Sequence, residues 1–165
     1  TGMSTIVVFK SPMTMSSSPS DFWGRRWNLM LHSSFKRGVY KPLRRNFPVW
    51  VAATGAFLAS GAIHEFVLNL IALKAKLYPA IGLGYSPRYG AQMVFFLWNG
   101  VLVIVEYAVG RLPLFQWISH HLPKPVVSFL VLLTVLPMSH LFTDEYLRSG
   151  FYTDFSIGVP TIVKL

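Results

Sequence analysis

The chain contains no cysteine. That excludes disulfide frameworks, thiol nucleophiles and cysteine-bound zinc. Charge is also scarce: only 13% of the 165 residues are Asp, Glu, Lys or Arg, against about 25% in a typical soluble domain. Acids are the scarcer sign, 6 against 15 bases, which leaves a formal charge of +9. The sequence has no glycine-rich phosphate loop, no HExxH pair and no GxSxG elbow. P-loop, zincin and α/β-hydrolase chemistry therefore have no local signature here. No internal repeat is present.

What fills the chain instead is apolar, 53% by count. Three long runs stand out: residues 49–73 (VWVAATGAFLASGAIHEFVLNLIAL), 91–109 (AQMVFFLWNGVLVIVEYAV) and 126–142 (VVSFLVLLTVLPMSHLF). A helix needs about 20 residues to cross the hydrocarbon core. The first two runs reach that length; the third sits near the lower limit, with Pro137 placed to kink it. A spanning segment must satisfy its own backbone hydrogen bonds, so each run is read as a helix. The expected fold is an all-α membrane protein of about three transmembrane helices. Ten of the bases lie before the first run or between the second and third, against five elsewhere. The positive-inside rule then places residues 1–48 on the cytoplasmic side. Basic residues beside apolar runs favour anionic headgroups or a phosphorylated substrate as partners, rather than nucleic acid.

Ahead of the first run lies DFWGRRWN, residues 21–28. Between Pro19 and Pro42 the pattern predicts one interfacial amphipathic helix, capped by Ser20. Phe22, Trp23, Trp27, Met30 and Leu31 would share a face at headgroup depth, with Arg25, Asn28 and His32 opposite. Residues 80–90, AIGLGYSPRYG, read as a connector.

The polar residues inside the spans carry the chemical interest. A charge there costs at least about 2.5 kcal/mol, so such groups face protein or water. His64 and Glu65 lie mid-span. Ala52, Ala56 and Ser60 lead up to His64 at intervals of four, a stripe that suits tight helix packing or the wall of a channel. Two readings of His64 stay open on pattern alone: a histidine hydrogen-bonded to a neighbouring helix, or a reactive base. Glu65 points about 100° away, which suits tying helices together. Asn99 and Glu106 read as structural groups. HLFTD, residues 140–144, has HxxxD spacing but sits at a helix end and carries no catalytic reading. His120 and His121 read as surface residues.

Two separated motifs carry a resemblance. SPSDFWGRRWN, followed by SGAIHE at Ser60–Glu65, resembles the wax synthase branch of the membrane-bound O-acyltransferases. VYKP (39–42) and FTDEYLRSGF (142–151) extend the likeness to residues 9–155. The resemblance implies a multi-span enzyme of the endoplasmic reticulum that moves a fatty acyl group from acyl-CoA to a long-chain alcohol. Acyl-CoA is then a co-substrate, membrane lipids surround the protein, and no metal is needed. It places the family histidine on His64 and the asparagine of the aromatic motif on Asn28. His64 would act as general base and Asn28 would orient the thioester carbonyl. Arg25 and Arg26 would meet the CoA phosphates, and Trp27 and Ser60 would line the substrate site. Sterol and diacylglycerol acyltransferases share a motif ending in Trp-Asn with a different interior, and either acceptor is the alternative. A non-catalytic membrane protein is the alternative of another class. Family members carry further spans before the aromatic motif, so the chain is expected to be the C-terminal portion of a larger multi-span bundle. The expected organisation is residues 1–19 as a linker or truncated upstream segment, 20–155 as the acyltransferase domain and 156–165 as a tail.

Overall fold

The computed structural model describes residues 7–77 and 85–152. Three long helices form its body: α5 (Val49–Leu77), α6 (Ala91–Val109) and α8 (Lys124–Arg148). At 1.5 Å per residue they reach about 43, 28 and 37 Å, and all three are long and apolar enough to cross a membrane. Helices α5 and α6 run antiparallel. Gly61 permits their closest approach: a Cβ there would lie 2.9 Å from Met93 Sδ and 3.1 Å from Met93 Cα. Farther along, Gly100 faces the Phe57 ring. Small residues thus let the two backbones close without any hydrophobic drive between helices in lipid.

The third helix extends beyond the apolar run, to Arg148, because its polar end is fully partnered. Buried Glu145 accepts from Tyr85 Oη at 2.8 Å and from Arg88 N at 3.0 Å, and pairs with the Arg88 guanidinium. Arg88 also reaches Asp144 at 3.5 Å, and Arg148 reaches Glu145 at 3.4 Å. These acids pin the connector's second half, residues 85–90, onto α8. The first half of that connector and the tail 156–165 lie outside the described residues. Pro137 is inside α8, as expected. The Thr134 carbonyl, in the turn that Pro137 disturbs, accepts from Trp98 Nε1 of α6 at 2.9 Å.

The N-terminal third departs from the single surface helix read from the sequence. It is a chain of short pieces: α1 (Pro12–Met15), α2 (Pro19–Asp21), a π-helical turn at Phe22–Arg26, α3 (Leu29–Phe35), a second π turn at Lys36–Tyr40, and α4 (Lys41–Asn46). Ser18, rather than Ser20, caps α2 by accepting from Asp21 N. Asn28, at φ 40°, breaks the helical phase before α3. The pieces wrap the bundle. Helix α1 lies on α8, where Ser128 Oγ donates to Ser16 O at 2.8 Å with both residues buried. Ser20 donates twice to the Glu106 carboxylate of α6, through N and Oγ, each at 2.7 Å. Helix α4 seats Leu43 on α5 over Gly55. Within the stretch read as a linker or truncated upstream segment, Pro12 and Ser16 are buried against the bundle while most of residues 7–18 are exposed.

A short amphipathic helix, α7 (Pro113–His121), precedes α8. Leu114, Phe115 and Trp117 are exposed on it, and His121 stacks on Trp117 at 5.1 Å. Both His120 and His121 lie at the surface.

Candidate active site

His64 sits mid-way along α5 and turns inward, half-buried. Its ring stacks on Phe96 of α6 at 4.9 Å and meets the edge of Phe142 of α8 at 5.1 Å. Nδ1 lies 2.7 Å from Tyr146 Oη, near the end of α8. Nε2 makes no hydrogen bond among the described residues. Three helices therefore box in one imidazole, fix one ring nitrogen and leave the other unclaimed. Both readings left open by the pattern meet here: the histidine is hydrogen-bonded to a neighbouring helix, and it keeps a nitrogen free for chemistry. The tautomer with the proton on Nδ1 donates to Tyr146 Oη and leaves a lone pair on Nε2.

The aromatic motif reaches this box from the other side. Trp23 packs edge-on against Phe57 at 6.1 Å and Phe95 at 6.2 Å, and tilts on Phe96, the ring that stacks on His64. Its indole Nε1 donates to Asn99 Oδ1 at 3.0 Å, and Asn99 returns its amide to Phe95 O. Asn99 is fully buried. Phe22, only 3% exposed, stacks on Trp27 at 5.4 Å. The shared outward face read for these rings is thus broken up: Trp23 packs on the bundle and Phe22 is covered by Trp23 and Trp27. The reason is local. The π turn rotates the side chains out of the phase that 100° per residue assigns, and a buried acceptor waits for the indole N–H.

Each remaining candidate has a definite place. Asn28 is the N-cap of α3: its Oδ1 accepts from Leu31 N at 3.3 Å, and its left-handed backbone suits Asn. Its amide nitrogen has no partner among the described residues. No hydrogen bond joins Asn28 to His64. Arg25 is exposed. Arg26 is turned inward, with Nε 2.6 Å from Asp21 Oδ2 and Nη1 donating to Lys10 O at 3.3 Å. Burial pushes the Asp21 carboxyl up, but Arg26 and the Ser17 N–H outweigh it and hold it below the usual range. Asp21 is thus ionised throughout neutral pH, and this tie weakens only under acid, as the pH falls through that lowered value. The structure therefore gives Arg26 an internal partner where the sequence reading had assigned it to phosphate. Trp27 packs among Phe9, Phe22 and Trp23. Ser60, half-buried one turn before His64, makes no hydrogen bond among the described residues.

Replacing Asn28 separates its two possible roles. Glycine tolerates the left-handed backbone and costs a cap position only a few tenths of a kcal/mol; Ala costs about 1 kcal/mol. Asn28→Gly is expected to melt within about 2 °C of the parent protein. A fall in kcat in that variant then reports the amide's part in chemistry; an unchanged kcat leaves Asn28 as a cap alone.

Sequence reasoning placed Glu65 as a helix tie, and its Oε1 accepts from Gly90 N at 2.9 Å and Gln92 N at 3.0 Å, at the start of α6. It missed Tyr146, Gln92 and the inward face of Trp23. No local signal marks Tyr146, which lies 82 residues from His64.

A three-helix apolar bundle with an inward histidine and a docked aromatic motif defines an integral membrane protein. The pattern described as "Membrane bound O-acyl transferase family" matches residues 7–98, more than half of the chain, and the chain belongs to that family. It is 32% identical to Acyl-CoA–sterol O-acyltransferase 1 of Arabidopsis thaliana over 142 residues, 81% of this chain and 37% of that protein. It is 28% identical to Probable long-chain-alcohol O-fatty-acyltransferase 7 of the same plant, over 82% of the chain and 39% of that protein. Probable long-chain-alcohol O-fatty-acyltransferase 1 is 30% identical, over 87% and 40% respectively. The chain thus spans about two fifths of the length of these curated relatives. No solved structure matches it.

Proposed function

We propose that the protein carrying this chain transfers a fatty acyl group from acyl-CoA to a long-chain alcohol in the endoplasmic reticulum membrane, with His64 as general base. The observation that supports this reading is the His64 ring, anchored at Nδ1 by Tyr146 with Nε2 unclaimed. Nε2 takes the proton of the alcohol as its oxygen attacks the thioester carbonyl carbon. The tetrahedral oxyanion collapses, the C–S bond breaks, and the CoA thiolate takes the proton back from the imidazolium. Ester and CoA leave, and the enzyme returns unchanged. The free amide of Asn28 donates to the thioester carbonyl. Exposed Arg25 meets CoA phosphate, while Arg26 holds the motif in shape through Asp21. Trp27 and Ser60 line the approach to His64. Membership of the O-acyltransferase family supports acyl-CoA chemistry, and the long-chain-alcohol relatives support the alcohol.

A sterol acceptor is the second reading, favoured by the 32% identity to the sterol enzyme. The test is acyl transfer from labelled acyl-CoA by the full reading frame, offered a fatty alcohol, a diacylglycerol and a sterol side by side. The expected product is the wax ester, formed at least about tenfold faster than either other ester, a difference of about 1.4 kcal/mol in the barrier. Preferential steryl ester formation would shift the function to the second reading; no ester of any kind would remove the proposal.

A further inference from the structure

Behind the His64 box, two residues on neighbouring helices are linked in a way the base mechanism does not use. Glu65 follows His64 on α5 and holds the first turn of α6 through a single oxygen, Oε1, which takes both the Gly90 and Gln92 N–H groups. Gln92, fully buried, passes the connection on: its Nε2 donates to Leu141 O at 3.2 Å and Phe142 O at 3.3 Å on α8. These bonds fix the Gln92 amide orientation, because a flipped amide would set its oxygen against two carbonyls. The chain of contacts runs α5 to α6 to α8 and ends at Phe142, a wall of the imidazole box. One turn beyond Gln92 is Phe96, an adjoining wall whose ring meets Phe142 edge-on at 6.0 Å.

Two buried oxygens of this connection, Glu65 Oε2 and Gln92 Oε1, meet no donor among the described residues. Arg88, close in sequence, is spent on Glu145 and Asp144.

We propose that Glu65 and Gln92 are positioning residues for His64, a clamp that holds α5, α6 and α8 together behind its ring. This rests on the reading of His64 as the base. The clamp sets the distance between Phe96 and Phe142, and so the angle at which Nε2 meets substrate.

Glu65→Gln separates this from a simple structural role. The new side chain keeps an oxygen for the Gly90 and Gln92 N–H groups and supplies an N–H₂ donor of its own. Its kcat is expected within about threefold of the parent, while Glu65→Ala and Gln92→Ala each lower kcat by at least about tenfold with KM changed less than about threefold. Loss of activity in Glu65→Gln equal to that in Glu65→Ala would overturn the proposal. Thermal unfolding of the same purified variants reads the clamp without any chemistry. The two Ala substitutions should each lower Tm, and the double variant should fall little further, because either one opens the clamp. Additive falls in Tm would show two independent contacts and sink the clamp. Should His64→Ala retain activity while the Tm values stay non-additive, the base reading fails and the clamp stands as a purely structural tie.

Discussion

His64→Ala is expected to lower kcat for ester formation by about 10²- to 10⁴-fold, the range for a lost general base. That is roughly 3 to 5 kcal/mol in the barrier. KM for acyl-CoA is expected to move little, because the ring is held by α6 and α8 and the CoA phosphates are assigned to Arg25 at the surface. Single-turnover assays with labelled acyl-CoA and a fatty alcohol measure both quantities. The effect should not come from unfolding. The imidazole is only half-buried, and its removal leaves the buried Tyr146 hydroxyl without that partner, a loss of about 1–3 kcal/mol.

Trp23→Ala carries the largest expected effect on stability, about 3 kcal/mol, at the lower end for loss of a large aromatic because the indole is partly covered. Five aromatic partners lose a neighbour: Phe22, Trp27, Phe57, Phe95 and Phe96. Asn99 Oδ1, inside a residue with no exposed surface, loses its donor. Melting of the detergent-solubilised protein should fall by about 6–12 °C. Trp23→Phe keeps the ring contacts and removes only the N–H, at a cost of about 1–3 kcal/mol for the orphaned acceptor. Equal melting of Trp23→Ala and the parent would mean that the aromatic motif is not docked on the bundle. Because Phe96 touches both Trp23 and His64, the Ala variant should also lose activity in the fraction that stays folded.

The three spans were legible because membrane helices are specified by length and composition, and little else can cross. The position of His64 was legible for a related reason: a polar group mid-span must turn toward protein. Glu65 followed from its angular offset on the same helix. The N-terminal third was not legible. A helical projection assumes one unbroken phase, and this segment contains two π turns and a left-handed Asn28. Ser20, the cap read from the sequence, is of the same residue type as Ser18, and its hydroxyl is drawn off to Glu106, far along the chain. Likewise Arg26 carries the same charge as Arg25, and its inward turn depends on where the fold places Asp21. Tyr146 and Gln92 reach the His64 box across 82 and 50 residues of chain. Nothing in local spacing encodes such pairings.

His64→Gln bears most directly on the central claim. Glutamine keeps a side-chain amide within reach of Tyr146, so the bundle should melt within about 2 °C of the parent. It cannot take up the alcohol's proton, so ester synthesis in the full reading frame should fall by at least about 100-fold. A folded His64→Gln protein that makes ester at a rate near the parent's would contradict the assignment of His64 as the base.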